Sequence, residues 1–200
     1  MLTSQDLYSL EQYSARRPEF KLRAVQHRKQ RQLQLGANVT LHFEDRVTVQ
    51  YQIQEMLLIE RTFSQQGIQD ELDAYNPLIP TGSNLKATMT IEYSDPTVRA
   101  YQLALLRGIE DRVFLQVEGH QPVYAVADED LDRSNDVKTS AVHFLRFELT
   151  ADMITALQNQ TTGLTVGVDH ENYLHSTPVP LSTINSLIAD FADQPRLALS

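Results

Sequence analysis

Residues 85–93 read Leu-Lys-Ala-Thr-Met-Thr-Ile-Glu-Tyr, with apolar and polar side chains in strict alternation. No other stretch constrains the fold as tightly. A period of two puts Leu85, Ala87, Met89, Ile91 and Tyr93 on one face of a strand. Lys86, Thr88, Thr90 and Glu92 fall on the other face. Such a strand needs a sheet, and the sheet needs an apolar layer over one side.

The chain on either side can be read outward from that strand. Asp95-Pro96 opens a helix running to about Arg107, and Gly108 closes it. Residues 112–118 and 122–127 are two strands joined by Glu118-Gly119-His120-Gln121, a hairpin turn. An acidic loop over 128–140 leads to a strand over 141–149. Thr150 caps a helix with Asp152 in its first turn, and Gly163 leads into a strand over 164–168. A polar, Pro-containing segment over 169–180 precedes a last amphipathic helix with Ile184, Leu187, Ile188 and Phe191.

Upstream, Ser4 is the expected N-cap of a helix from Gln5 to Ala15. Pro18 then starts a second helix anchored by Phe20, Val25 and Leu33 and stopped by Gly36. Residues 39–43 alternate as a half-buried strand. The helix over 45–63 is the most apolar in the chain. Its one polar stripe holds Gln50, Gln54 and Arg61, so the rest of its circumference is expected to be buried. After a turn at Gln65-Gln66-Gly67 comes a short helix with Ile68, Leu72 and Tyr75 on one face, ended by Asn76-Pro77.

This order predicts an α+β fold. A helical N-terminal third packs on a mixed sheet of six strands, built from two β-α-β units in a ferredoxin-like or related arrangement. With no Gly-, Ser- or Pro-rich linker, the 200 residues read as a single compact domain, 1–200. Its parts are a mainly helical 1–80, a sheet part 81–170 and a C-terminal helix within 171–200.

Composition narrows the chemistry. The chain has no Cys, which excludes a disulfide framework, a thiolate zinc site, a Cys nucleophile and a Cys-ligated iron–sulfur cluster. Its seven glycines are scattered singly, with no Walker A or dinucleotide-binding motif. No apolar run reaches the roughly 18 residues of a membrane span, and no signal peptide is visible, so a cytoplasmic protein is expected. The net charge of −9 makes a nucleic-acid partner disfavoured. That charge is uneven, because residues 16–31 sum to +6 and the remainder to −15. The basic helix could meet phosphates or an acidic partner. The plainer expectation is a solvated face neutralised by the acidic loop at 128–136.

Val49, Ile53, Met56, Glu60 and Phe63 form one helical stripe, which would bury Glu60. Folding about the turn at 64–67 brings Glu60 level with Glu71, and two facing carboxylates can share a proton or bind a divalent metal. This makes Glu60 and Glu71 the candidate catalytic pair. The structural alternative is an ion pair with Arg46, Lys86 or another base, or simple exposure at a helix edge. His170 and His175 are five apart, one too many for two imidazoles to meet one ion from a helix. His120 and His143 are the other candidate metal ligands, His143 also suiting a core position.

Three stretches carry a resemblance across nearly the whole chain. They are Phe43-Glu44-Asp45-Arg46 with Tyr51-Gln52-Ile53-Gln54-Glu55-Met56, then Glu71-Leu72-Asp73-Ala74-Tyr75-Asn76-Pro77-Leu78-Ile79-Pro80, and Lys138-Thr139-Ser140-Ala141-Val142-His143-Phe144. The sequence resembles a bacterial family of uncharacterised proteins, a domain of unknown function. The resemblance implies a neighbourhood of rubrerythrin-like proteins and iron–sulfur oxidoreductases, hence a redox or oxidative-stress context. It implies no catalytic residues. Its centre is the 45–80 hairpin, where Tyr51, Glu55, Tyr75 and Asn76 are the candidate ligand- or partner-binding residues. The expected role is an accessory or binding protein of a redox module, as a monomer or homo-oligomer. A metal-dependent or cofactorless Glu/His enzyme and a nucleic-acid-binding regulator are the alternatives.

Overall fold

The computed structural model describes residues 1–129, 133–134, 137–160 and 162–191. Among them the helices are α1 (Leu10–Lys29), α2 (Arg46–Glu60), α3 (Gln65–Tyr75), α4 (Pro96–Leu105), α5 (Ala151–Gln158) and α6 (Leu181–Ile188). The strands are β1 (Gln32–Leu35), β2 (Val39–Glu44), β3 (Asn84–Ile91), β4 (Val113–Val117), β5 (Val123–Tyr124), β6 (Val126–Ala127), β7 (Val142–Glu148), β8 (Leu164–His170) and β9 (Tyr173–Pro178). They form two sheets, in the orders β1-β2-β3-β7-β6 and β5-β4-β8-β9, and every pairing is antiparallel.

The α+β class holds, while the expected mixed sheet of two β-α-β units is corrected. In each presumed unit the helix carries the chain to the other sheet. Thus α4 lies between β3 of the first sheet and β4 of the second, and α5 between β7 and β8. No parallel neighbour results. The alternation of β3 already suits this outcome, because strands of a parallel sheet are covered on both faces and read as continuous apolar runs. Here Leu85, Ala87, Met89 and Ile91 are buried and Lys86, Thr88 and Thr90 are half-buried.

Leu35, Leu41, Phe43, Met89, Leu115, Phe147 and Val166 belong to one core cluster fed by both sheets, which α4, α5 and α6 close with Leu103, Met153, Leu157, Ile184 and Leu187. The expected 122–127 strand is two short ones. Val123–Tyr124 pairs with β4, Ala125 is buried at the joint, and Val126–Ala127 pairs with β7. The strand thus turns a corner from one sheet to the other. At another seam, the Tyr173 hydroxyl on β9 donates to Leu35 O at 2.6 Å and accepts from the amides of Asn38 at 3.1 Å and Val39 at 3.2 Å. Gly36, in the β1–β2 turn, has φ +66°, and a Cβ there would lie 2.7 Å from that hydroxyl.

Three further elements depart from the sequence reading. Within 169–180, Tyr173–Pro178 is strand β9, paired with β8, with His170 opposite Tyr173 and His175 opposite Val168. Residues 32–35 are a strand, so Gly36 ends no helix. Lastly, α1 is continuous through Pro18, capped by Ser9 and not by Ser4. Pro18 is exposed, so the carbonyl that loses its amide partner faces water and the helix need not break.

A second apolar cluster holds α2, α3 and the N-terminal segment together through Leu2, Val49, Ile53, Leu57, Leu72 and Ile79. No helix among the described residues is long and apolar enough to cross a membrane.

Candidate functional site

The first eight residues are strapped onto the α2–α3 hairpin by side-chain amides. Asn76 accepts from Leu2 N at 2.7 Å and donates to Leu2 O at 2.9 Å. Gln54, 2% exposed, accepts from Tyr8 N at 2.6 Å, and Gln50 donates to Asp6 O at 2.6 Å. Arg46 pairs with Asp6 at 2.6 Å. The supposed polar stripe of α2 is therefore covered, with its amides replacing water for a non-helical backbone.

That strap delivers Tyr8 to a cleft between α1 and α2. The two helices run antiparallel, since Tyr13 and Arg17 meet Glu55 at one end while His27 meets Asp45 at the other. Along α1, Tyr13, Phe20, Ala24 and His27 form one stripe at spacings of 7, 4 and 3. Facing them on α2 are Val47, Gln50, Tyr51 and Gln54. Ala24 is buried but has only a methyl group, so a space of about 330 Å³ stays open between the helices. That lies at the lower end of the roughly 300–1,000 Å³ range of small-ligand pockets. Its walls are aromatic: the Phe20 centroid lies 5.0 Å from that of Tyr8 and 5.2 Å from that of Tyr13. Tyr51 closes the opposite side, with the Arg28 guanidinium 5.4 Å from its ring centroid.

The polar groups here are of two kinds. Some are committed. Glu55 accepts from two of the Arg17 guanidinium nitrogens, Nε at 2.9 Å and Nη2 at 2.8 Å, and from the Tyr13 hydroxyl at 2.6 Å. The Arg17 bonds hold its carboxyl below the usual range against the cost of burial. Burial, with the Glu55 carboxylate beside it, pushes the Tyr13 phenol well up. Others are open. Among the described residues, the Tyr51 hydroxyl has no hydrogen-bond partner, and Arg23 has neither hydrogen bond nor ion pair. Burial first, then Glu55, raises the Tyr51 phenol, so it stays a donor at neutral pH.

The other predicted residues fall elsewhere. Glu60 is exposed at the end of α2 and Phe63 is 69% exposed beyond it, so the apolar stripe ends at Leu57. Glu71 is half-buried, and burial first, then the charges of Glu60 and Asp70, raise its carboxyl. The fold thus brings Glu60 and Glu71 into electrostatic range, on the rim of the hairpin and away from the cleft wall. Tyr75 packs at the edge of the second cluster, and Asn76 is the clamp on Leu2.

His120 sits in the β4–β5 turn, its Nδ1 3.3 Å from Glu118 O. His143 is fully buried. Its Nδ1 lies 2.6 Å from Asp128 and its Nε2 lies 2.8 Å from the Thr139 hydroxyl, which in turn reaches Glu110 at 3.0 Å. Both ring nitrogens are engaged, and the acid–imidazole–hydroxyl chain is sealed, with Thr139 1% exposed. It fastens the segment before β7 to the strand. No group of three or more His, Asp or Glu side chains among the described residues is arranged to hold a metal ion.

Three of the basic residues over 16–31 pair with acids outside the 128–136 loop. Arg16 pairs with Glu19, Arg17 with Glu55, and the buried Arg31 just beyond α1 with Asp190. Asp128 and Glu129 of the acidic loop engage His143 and Arg146 instead. Asp130, Asp132 and Asp136 of that loop lie outside the described residues.

Fold and cleft together define a small α+β protein with an aromatic-walled cleft between two of its helices. The chain belongs to the family described as protein of unknown function (DUF3501), whose model matches residues 1–191. It is similar to a crystal structure of a novel protein of unknown function from Burkholderia pseudomallei, at 48% identity, 96% coverage of this chain, 99% of that one and a TM-score of 0.90. No curated protein matches it.

Sequence reasoning reached Tyr51 and Glu55 but missed Tyr8, Tyr13, Phe20, Arg23 and Ala24. The signal was present as the stripe through 13, 20, 24 and 27. Dividing the helix at Pro18 cut that stripe in two.

Proposed function

We propose that this protein is a ligand-binding accessory protein whose site is the α1–α2 cleft, acting beside a redox enzyme and not itself carrying electrons. The observation that carries the reading is the cleft itself. It has aromatic walls, an open volume maintained by Ala24, and polar groups at its mouth without partners. Natural helix pairs usually fill such a gap, because packed side chains gain dispersion contacts that an open cleft forgoes. The redox setting is supported by the family resemblance, and the absence of any Cys leaves thiol chemistry and iron–sulfur ligation to a partner.

The test is ligand-observed NMR of the full chain against a library of one- and two-ring fragments, repeated with Ala24→Leu. We expect hits for the native chain that vanish in the variant, whose leucine fills the cleft. Fragments that bind both proteins equally would overturn the reading.

A further inference from the structure

Resting on the cleft reading above, we infer that the ligand of the α1–α2 cleft is a small aromatic carboxylate. Four aromatic rings suit a planar guest, because ring pairs gain energy from offset and edge-to-face contact beyond the area they bury. An aromatic cage can also take a cation, and that alternative is decided by charge. Among the described residues no Asp or Glu lines the cleft, whereas Arg23 does, and the His27 ring there is already engaged by Asp45. The two carboxylates that touch lining residues are committed: Glu55 to Arg17 and Tyr13, and Asp45 to His27 and the Thr48 amide. A cationic guest would meet like charge from Arg23 and Arg28 with no acid to answer it. An anionic guest would find an unpaired guanidinium and an unpaired phenol.

The roles then divide. Phe20 and Tyr51, on opposite helices, hold the ring. Arg23, which lines the cleft, donates to the carboxylate, where a charge-assisted pair adds both affinity and orientation. Ala24 sets the depth.

Three near-isosteres separate the possibilities: phenylacetate, 2-phenylethanol and 2-phenylethylamine, titrated by calorimetry into the full chain at low salt. Phenylacetate should bind about tenfold or more tightly than the alcohol, and the amine should not bind measurably. Arg23→Gln should bring phenylacetate down to the level of the alcohol. The inference fails if the amine or the alcohol binds as well as the acid, or if Arg23→Gln leaves phenylacetate binding intact. In those cases the cleft stands as a site for another class of guest. If none of the three binds, and the fragment library also yields nothing sensitive to Ala24→Leu, the cleft reading itself falls.

Discussion

Asp45 holds three parts of the molecule at once. It is the N-cap of α2, accepting from Thr48 N at 2.9 Å, while its own amide donates to the Thr48 hydroxyl at 2.9 Å. Its other oxygen faces His27 at 2.5 Å and Arg31 at 3.6 Å. Burial alone would raise its carboxyl, but His27, Arg31 and the Thr48 amide together hold it below the ordinary aspartate range. A carboxyl depressed by folding adds stability at pH values above the unfolded pKa of about 4, and that stability is lost as pH falls through the folded value. Asp45→Asn keeps an N-cap acceptor and loses the charge, so its melting temperature should vary less than the native one between pH 6 and pH 3. Asp45→Ala loses both and should cost about 1–2 kcal/mol in urea unfolding at pH 7. Equal acid sensitivity in the native chain and Asp45→Asn would remove this residue from the account.

At the scale of elements, α1 is the least conventional. Among its 20 residues only Tyr13 and Ala24 are fully buried, so it is held by polar ties and by the cleft walls more than by an apolar stripe. Pro18 removes one backbone hydrogen bond from its interior. Pro18→Ala should restore that bond. The gain in helix propensity is partly offset by the freer unfolded chain, leaving about 1–2 kcal/mol of added stability, or about 3 °C or more in Tm. A lower Tm, read by circular dichroism, would mean that the course of α1 depends on the proline. The element also shows why a sequence reading stumbles here. Proline is a strong local breaker, and only the exposed position of residue 18 makes it tolerable.

For the whole molecule, Tyr173 on β9 of one sheet ties the β1–β2 turn of the other with three hydrogen bonds at once. Tyr173 is 8% exposed, so Tyr173→Phe keeps the packing and removes the three hydrogen bonds to Leu35 O, Asn38 N and Val39 N. The expected loss is about 2 kcal/mol in urea unfolding. A change below about 0.5 kcal/mol would mean that water replaces the hydroxyl.

What the sequence determined by itself is local. Strict alternation made β3, and its alternate residues are the ones buried. Asp95-Pro96 opened α4, Thr150 capped α5, and Gly108 took the left-handed turn, at φ +79°. Each follows from energies settled within a few residues, namely side-chain period, cap and backbone sterics, and these are legible in order along the chain. The lack of Cys removed whole chemistries in the same direct way. Only the tertiary structure decided which strands pair, that Glu60 faces solvent, that Asn76 and Gln54 clamp the N-terminal strap, and that a cavity opens beside Ala24. Those outcomes depend on partners such as Arg31 and Asp190, 159 residues apart. No local periodicity encodes such a pairing, because its free energy comes from closing a long loop and excluding water from both ends together.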